Sequence, residues 1–277
     1  MATVWCDGKF IDEQNFRVSP HDRGLCHGFS LFETLLAVDG KPKLLPEHLE
    51  RMRGGLQRLG VDSVELDASG LNTAMVSLLE RNGLLVGSAR LRFSLSFGEG
   101  PLNQTDSGRA WAWMTASRAA IVAGAVRVNE APWKKNIESV TRGLKVGNYA
   151  EHLIAMDMAR REGFGEMLFF NTNNELCEAA MANVFLIKGG GLLTPSLDSG
   201  CLAGVSRALV LRIAREQGIS IMEKPLGRSD VAKADGMFLT SSVQGPVEVS
   251  YYGLNSYAPH PLFKNIRAAW LARMGIK

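Results

Sequence analysis

Five short stretches of this 277-residue chain place polar groups where they could do chemistry. Lys145 lies in Gly143-Leu144-Lys145-Val146-Gly147-Asn148-Tyr149, between aliphatic residues and glycines. Partial burial lowers the pKa of such an amine and makes it nucleophilic, able to form a Schiff base with a carbonyl. Glu178 stands among small residues in Cys177-Glu178-Ala179-Ala180-Met181-Ala182-Asn183, just ahead of an apolar run. A carboxylate there can keep a basic ring nitrogen protonated. Leu202-Ala203-Gly204-Val205-Ser206-Arg207 opens a helix, whose free N–H groups and dipole attract an anion, and Ser206 adds a hydroxyl. Thr240-Ser241-Ser242 ends a strand before Gly245-Pro246, where hydroxyls and amides can also hold phosphate. Arg51, in His48-Leu49-Glu50-Arg51, brings a guanidinium suited to the same anion.

Each stretch also has a structural reading. Lys145 could snorkel at a strand end, Glu178 could sit in a turn, and Ser206 could simply cap its helix. Thr240–Ser242 could be a plain turn, Arg51 a solvated charge, and Asn183 a partner for loop backbone. Taken together, the five describe one ligand: an aromatic ring bearing an aldehyde, a basic nitrogen and a phosphate. That ligand is pyridoxal 5'-phosphate.

The elements that must position these groups mix α and β. Thr3–Cys6 and Lys9–Ile11 flank an Asp7-Gly8 hairpin turn. Ser30–Val38 is apolar and fits a strand or a helix; Asp39-Gly40 then makes a second hairpin turn. Pro46 opens a helix over Glu47–Leu59, and Leu71–Glu80 is a second. Ala89–Phe97 alternates Leu91, Phe93, Leu95 and Phe97 with Arg90, Arg92, Ser94 and Ser96, a strand with one buried face, paired with Ala110–Ser117. Further strands are expected at Val126–Glu130, Met167–Asn171, Ala182–Ile187, Ile219–Lys224 and Met237–Leu239. Helices are expected at Ala150–Arg161, Ser206–Gln217 and Phe263–Met274. The reading is an α+β protein with a smaller N-terminal domain over 1–118, a linker over 119–125 and a larger domain over 126–277 that carries Lys145.

Composition narrows the classes. With 46% hydrophobic and 21% charged residues the chain can bury a large core and is not disordered. A net charge of +3 gives no electrostatic case for nucleic acid. No apolar run reaches membrane-spanning length, and the N-terminus lacks the pattern of a signal peptide. Cys6, Cys26, Cys177 and Cys201 are widely spaced without a CxxC pair, so they are expected to be reduced, in a cytoplasmic protein with no bound metal.

The chain resembles the class IV aminotransferases, the fold-type IV pyridoxal-phosphate enzymes that include branched-chain aminotransferase, D-amino acid aminotransferase and aminodeoxychorismate lyase. The resemblance runs through Asp22-Arg23-Gly24, Gly28–Thr34, Leu45–Arg51, Arg142-Gly143-Leu144-Lys145, Glu178 with Ala182–Phe185, and Gly204–Arg207. It implies the D-amino acid aminotransferase-like two-domain fold and a homodimer, with each active site between the domains and partly walled by the other subunit. By the same resemblance Lys145 bonds the cofactor and moves the α-proton, and Glu178 pairs with the pyridine nitrogen. Tyr149 approaches the ring's phenolic oxygen, and Arg51, Val205, Ser206 and Ser242 hold the phosphate, Val205 through its backbone.

Substrate choice is less marked. The Arg-x-His pair of D-amino acid aminotransferases is absent from the loop Gly98–Gln104, and the Gly-Thr-Ala turn of branched-chain enzymes is replaced by Thr240-Ser241-Ser242-Val243. Phe32-Glu33-Thr34 looks more like the lyase. Phe32, Arg90, Arg92 and Val243 are the candidate substrate contacts. The expected function is transfer of an amino group from an amino acid to a keto acid. The alternatives are aminodeoxychorismate lyase, which releases aminobenzoate and pyruvate in folate synthesis, and a non-catalytic phosphate- or nucleotide-binding module.

Overall fold

The computed structural model describes residues 2–276. The chain divides into two compact units, Met1–Ala120 with Leu144–Tyr149, and Ile121–Gly143 with Ala150–Lys277.

The first unit contains β1 (Thr3–Cys6), β2 (Lys9–Asp12), α1 (Arg23–His27), β3 (Ser30–Val38) and β4 (Lys41–Pro42). It continues with α2 (Leu45–Arg58), α3 (Ala68–Arg81), β5 (Ser88–Ser96) and β6 (Trp111–Arg118). Its antiparallel sheet runs β2-β1-β6-β5-β3-β4. Pairing settles the ambiguity of Ser30–Val38, because β3 matches β5 along its length, from Ser30 against Ser96 to Val38 against Ser88. One sheet face, with Leu31, Leu35, Leu91, Phe93 and Leu95, packs on Leu49, Met52 and Leu56 of α2 and Met75 and Leu78 of α3. This is the buried face that the alternation in β5 predicted. Helix α3 starts three residues before its first core leucine, Leu71, because the Asp67 carboxylate caps the N–H groups of Ser69 and Gly70.

The second unit contains β7 (Val126–Glu130), α4 (Ala150–Arg161), β8 (Glu166–Phe170), β9 (Leu176–Ala179), β10 (Asn183–Lys188) and β11 (Gly191–Pro195). It continues with α5 (Val205–Glu216), β12 (Ile221–Lys224), α6 (Arg228–Ala232), β13 (Gly236–Ser241), β14 (Gly245–Tyr252), β15 (Asn255–Ser256) and α7 (Pro261–Met274). Its mixed sheet runs β12-β11-β10-β13-β14-β7-β8-β9, with β15 on the side of β14. Buried Val184, Leu186, Leu239 and Val249 form the centre of its core.

Two placements differ from the sequence reading. Glu178 lies inside β9 and not in a turn ahead of a strand, since Leu168 pairs with Ala179 and Phe169 with Glu178. Lys145, expected in the C-terminal domain, belongs to a segment that packs with the first unit. Phe32 donates its N–H to the Lys145 carbonyl at 3.0 Å, and Gly147 donates to the Ser30 carbonyl at 2.9 Å. A Cβ at 147 would lie 2.0 Å from Ser30 Oγ, so a larger residue there would force the Ser30 hydroxyl to turn away.

Candidate active site

In the first unit the amine of Lys145 lies against aromatic rings. Its Nζ is 4.3 Å from the centroid of Phe32 and 5.3 Å from that of Tyr149, and the two rings meet edge to face at 5.2 Å. The Arg92 guanidinium also stacks on Phe32, at 3.9 Å. Phe32 itself is buried. Four of the expected residues, Lys145, Tyr149, Phe32 and Arg92, are therefore brought together. Arg90 is on the same strand and exposed.

Arg51 stands apart from a simple solvated charge. It donates from Nε to Glu33 Oε1 at 2.8 Å and from Nη2 to Oε2, while His48 Nδ1 lies 2.6 Å from Oε2. Glu33 and His48 are both about 1% exposed. Burial pushes the Glu33 carboxyl up. The Arg51 charge and the hydrogen bonds from Arg51 and His48 outweigh it and leave a pKa of about 2. His48 is held below its ordinary value, first by burial and then by the Arg51 and Lys145 charges, against the opposing pull of Glu33. It is therefore a neutral ring at neutral pH and donates its Nδ1–H to the carboxylate.

In the second unit Glu178 is almost wholly buried, and both of its oxygens are engaged. Oε1 pairs with the Lys135 ammonium, and Oε2 accepts the N–H of Leu202 at 2.9 Å. Burial pushes the Lys135 amine down, and Glu178 more than reverses this, holding it above the ordinary lysine range. The Lys135 ammonium also lies 3.5 Å from Nε2 of His152, whose Nδ1 is 2.6 Å from the Ala180 carbonyl. Asn183 donates to the Leu202 carbonyl at 2.8 Å, which is the backbone role expected of it. Both peptide groups of Leu202 are thus tied to the Glu178–Asn183 stretch, and this anchors the loop leading into α5.

Helix α5 begins at Val205 with Gly204 as an extended N-cap, and no side chain caps it. A Cβ at position 204 would collide with Asn183 Oδ1 at 1.9 Å, so glycine keeps the turn open to its own backbone. The helix start retains the electropositive N–H groups that favour an anion. The Ser206 hydroxyl is differently used from the expectation. It is buried, lies 2.5 Å from Thr240 Oγ1 and accepts the indole N–H of Trp270 at 3.0 Å. Ser242 and Val243 follow β13 in a half-buried turn.

Glu33, His48, Lys135, His152 and Trp270 do not stand out from sequence patterns alone. One signal for the first was visible, a lone acid in an apolar strand, since a buried carboxylate requires a partner. The four cysteines are free, and no cluster among the described residues could hold a metal ion. No described helix is long and apolar enough to cross a membrane.

The family model for amino-transferase class IV matches residues 30–252. A putative branched-chain-amino-acid aminotransferase of Methanocaldococcus jannaschii is 28% identical, over 89% of this chain and 86% of its own. Aminodeoxychorismate lyase of Bacillus subtilis is 26% identical, over 87% and 83%. The fold is shared with the branched-chain aminotransferase from Thermoproteus uzoniensis crystallised with norvaline, at a TM-score of 0.90 and 24% identity over 99% of this chain and 95% of that one. The chain belongs to the class IV aminotransferase family. It is an enzyme of that pyridoxal-phosphate-dependent group, which sets aside the non-catalytic binding module.

Proposed function

We propose that this enzyme binds pyridoxal 5'-phosphate through Lys145 and transfers an amino group from an amino acid to a keto acid. The observation that carries the reading is the lysine held against Phe32 and Tyr149, with its main chain pinned to β3. The donor set suits the cofactor: an amine for its carbonyl, a buried carboxylate for its ring nitrogen, and a guanidinium and an uncapped helix start for its phosphate. When bound, pyridoxal 5'-phosphate supplies the electron sink for charge developing at the substrate α-carbon.

The protein's own residues divide the remaining work. Lys145 Nζ would hold the cofactor carbonyl, with loss of water, and once the substrate amine displaces it the freed amine would take and return the proton at the α-carbon. Glu178 offers a carboxylate whose orientation is fixed by Lys135 and by the Leu202 N–H, and it accepts the ring N–H. Arg51, the backbone N–H groups of Val205 and Ser206, and Ser242 hold the phosphate. The Ser206 hydroxyl contributes indirectly, by tying the helix start to Thr240 and Trp270. Tyr149 would approach the ring oxygen, and Arg92, stacked on Phe32, would receive the substrate carboxylate.

A second reading, release of pyruvate and aminobenzoate from aminodeoxychorismate, is favoured by the relative from Bacillus subtilis. The need for an acceptor separates the two. A transaminase given only an amino donor converts one equivalent and stops until a keto acid is added, whereas the lyase turns over aminodeoxychorismate without one. We also propose a homodimer. Leu153 and Ile154 on α4 are 60% and 54% exposed, a face that a second copy would cover. Sedimentation of the wild type as a monomer would count against it.

A further inference from the structure

We infer that Glu33 is a positioning residue that aims Arg51, so that strand β3 sets both the lysine main chain and the direction of the arginine. The inference rests on the reading that Arg51 holds the cofactor phosphate. Glu33 interrupts an apolar run, with Leu31, Phe32, Leu35 and Leu36 all buried around it. Burying a carboxylate there is costly, and an apolar residue would pack the strand against α2 as well or better. What the carboxylate adds is geometry. Arg51 meets it through Nε and Nη2, a two-pronged pairing that fixes the plane of the guanidinium and therefore the direction of its Nη1 edge. His48 fixes the carboxylate in turn from the first turn of the same helix.

The neighbouring residue on β3 performs the matching task for the amine. Phe32 donates its N–H to the Lys145 carbonyl and places its ring beside Lys145 Nζ. Consecutive residues of one strand, whose side chains point to opposite faces, thus hold the groups proposed for the two ends of the cofactor. A displaced Arg51 would weaken phosphate recognition and leave carbonyl capture by Lys145 intact.

The test measures equilibrium binding of two probes, pyridoxal 5'-phosphate and pyridoxal, to the cofactor-free protein. Because a charge-assisted pairing is lost, Glu33→Gln should weaken pyridoxal 5'-phosphate about tenfold or more and pyridoxal less than about twofold. Arg51→Ala should lower the preference to a similar level, and the double variant should lower it no further. A folded Glu33→Gln protein that keeps the wild-type preference, while Arg51→Ala has lost it, overturns the positioning role and leaves the reading of Arg51 standing. A wild-type preference in Arg51→Ala overturns that reading itself. Should Glu33→Gln fail to fold, Glu33→Asp keeps the charge and retracts it by one methylene. It should then show a reduced preference with unchanged pyridoxal binding, and an unchanged preference contradicts the inference.

Discussion

Phe32 holds Lys145 twice: its main-chain N–H donates to the lysine carbonyl at 3.0 Å, and its ring centroid lies 4.3 Å from the lysine Nζ. The backbone contact places the segment, and the ring limits where the amine can go. A lysine side chain has about 2 kcal/mol of rotamer entropy to lose, so a wall that restricts it beforehand shortens the search for a carbonyl.

Phe32→Leu keeps the backbone contact and removes the aromatic face. A cation–π contact is worth about 0.5–2 kcal/mol, so cofactor capture should slow by roughly two- to thirtyfold with the fold retained. Stopped-flow absorbance after mixing cofactor-free protein with pyridoxal 5'-phosphate reads this rate. An unchanged rate would show that the ring does not position the amine.

Lys135→Met removes the partner of a buried carboxylate. Breaking such a pair costs about 3–5 kcal/mol, so the variant should unfold at much lower denaturant at pH 7. The sign of the pH dependence follows from the raised Lys135 pKa. Its stabilisation is fully present below the ordinary lysine value of 10.5 and is lost as pH rises through the higher folded value. Wild type should lose that increment on the alkaline side, and Lys135→Met should not. Urea melts at pH 7 and above pH 10.5 check both points.

Glu166 gives the opposite kind of titration. It is buried on β8 with one oxygen accepting the Met181 N–H and the other without a hydrogen-bond partner among the described residues, and burial, helped by the Glu178 charge, pushes its pKa up to about 8. The folded protein therefore keeps a proton that the unfolded chain releases above about pH 4.5. Its contribution is complete below that pH and declines as pH rises toward 8. Glu166→Gln should be more stable than wild type at pH 8, with the difference shrinking toward pH 5, as read by thermal melts across that range. A constant difference would contradict the raised value.

Much of this was legible in the sequence where spacing is local. The alternation of Leu91, Phe93 and Leu95 specified the buried face of β5, and Pro46 marked the first turn of α2. Strand β9 was hidden because Leu176–Ala179 is four residues long and buried throughout, so no alternation shows. Strand β14 begins at Gly245-Pro246, which reads as a turn until its pairing with β13 is seen. The site partners were hidden by distance along the chain. Lys135 meets Glu178 across 43 residues, and Trp270 reaches Ser206 across 64. No local pattern encodes such contacts, because the sheet order brings them together.

The central claim is that Lys145 captures the cofactor. Borohydride reduction of the protein incubated with pyridoxal 5'-phosphate, followed by peptide mass mapping, tests it directly. The account predicts one phosphopyridoxyl group on the peptide containing Lys145, loss of the yellow colour, and no fixed group at the site in Lys145→Ala. A stoichiometric adduct retained in Lys145→Ala, or mapped in wild type to another lysine such as Lys135, would contradict it.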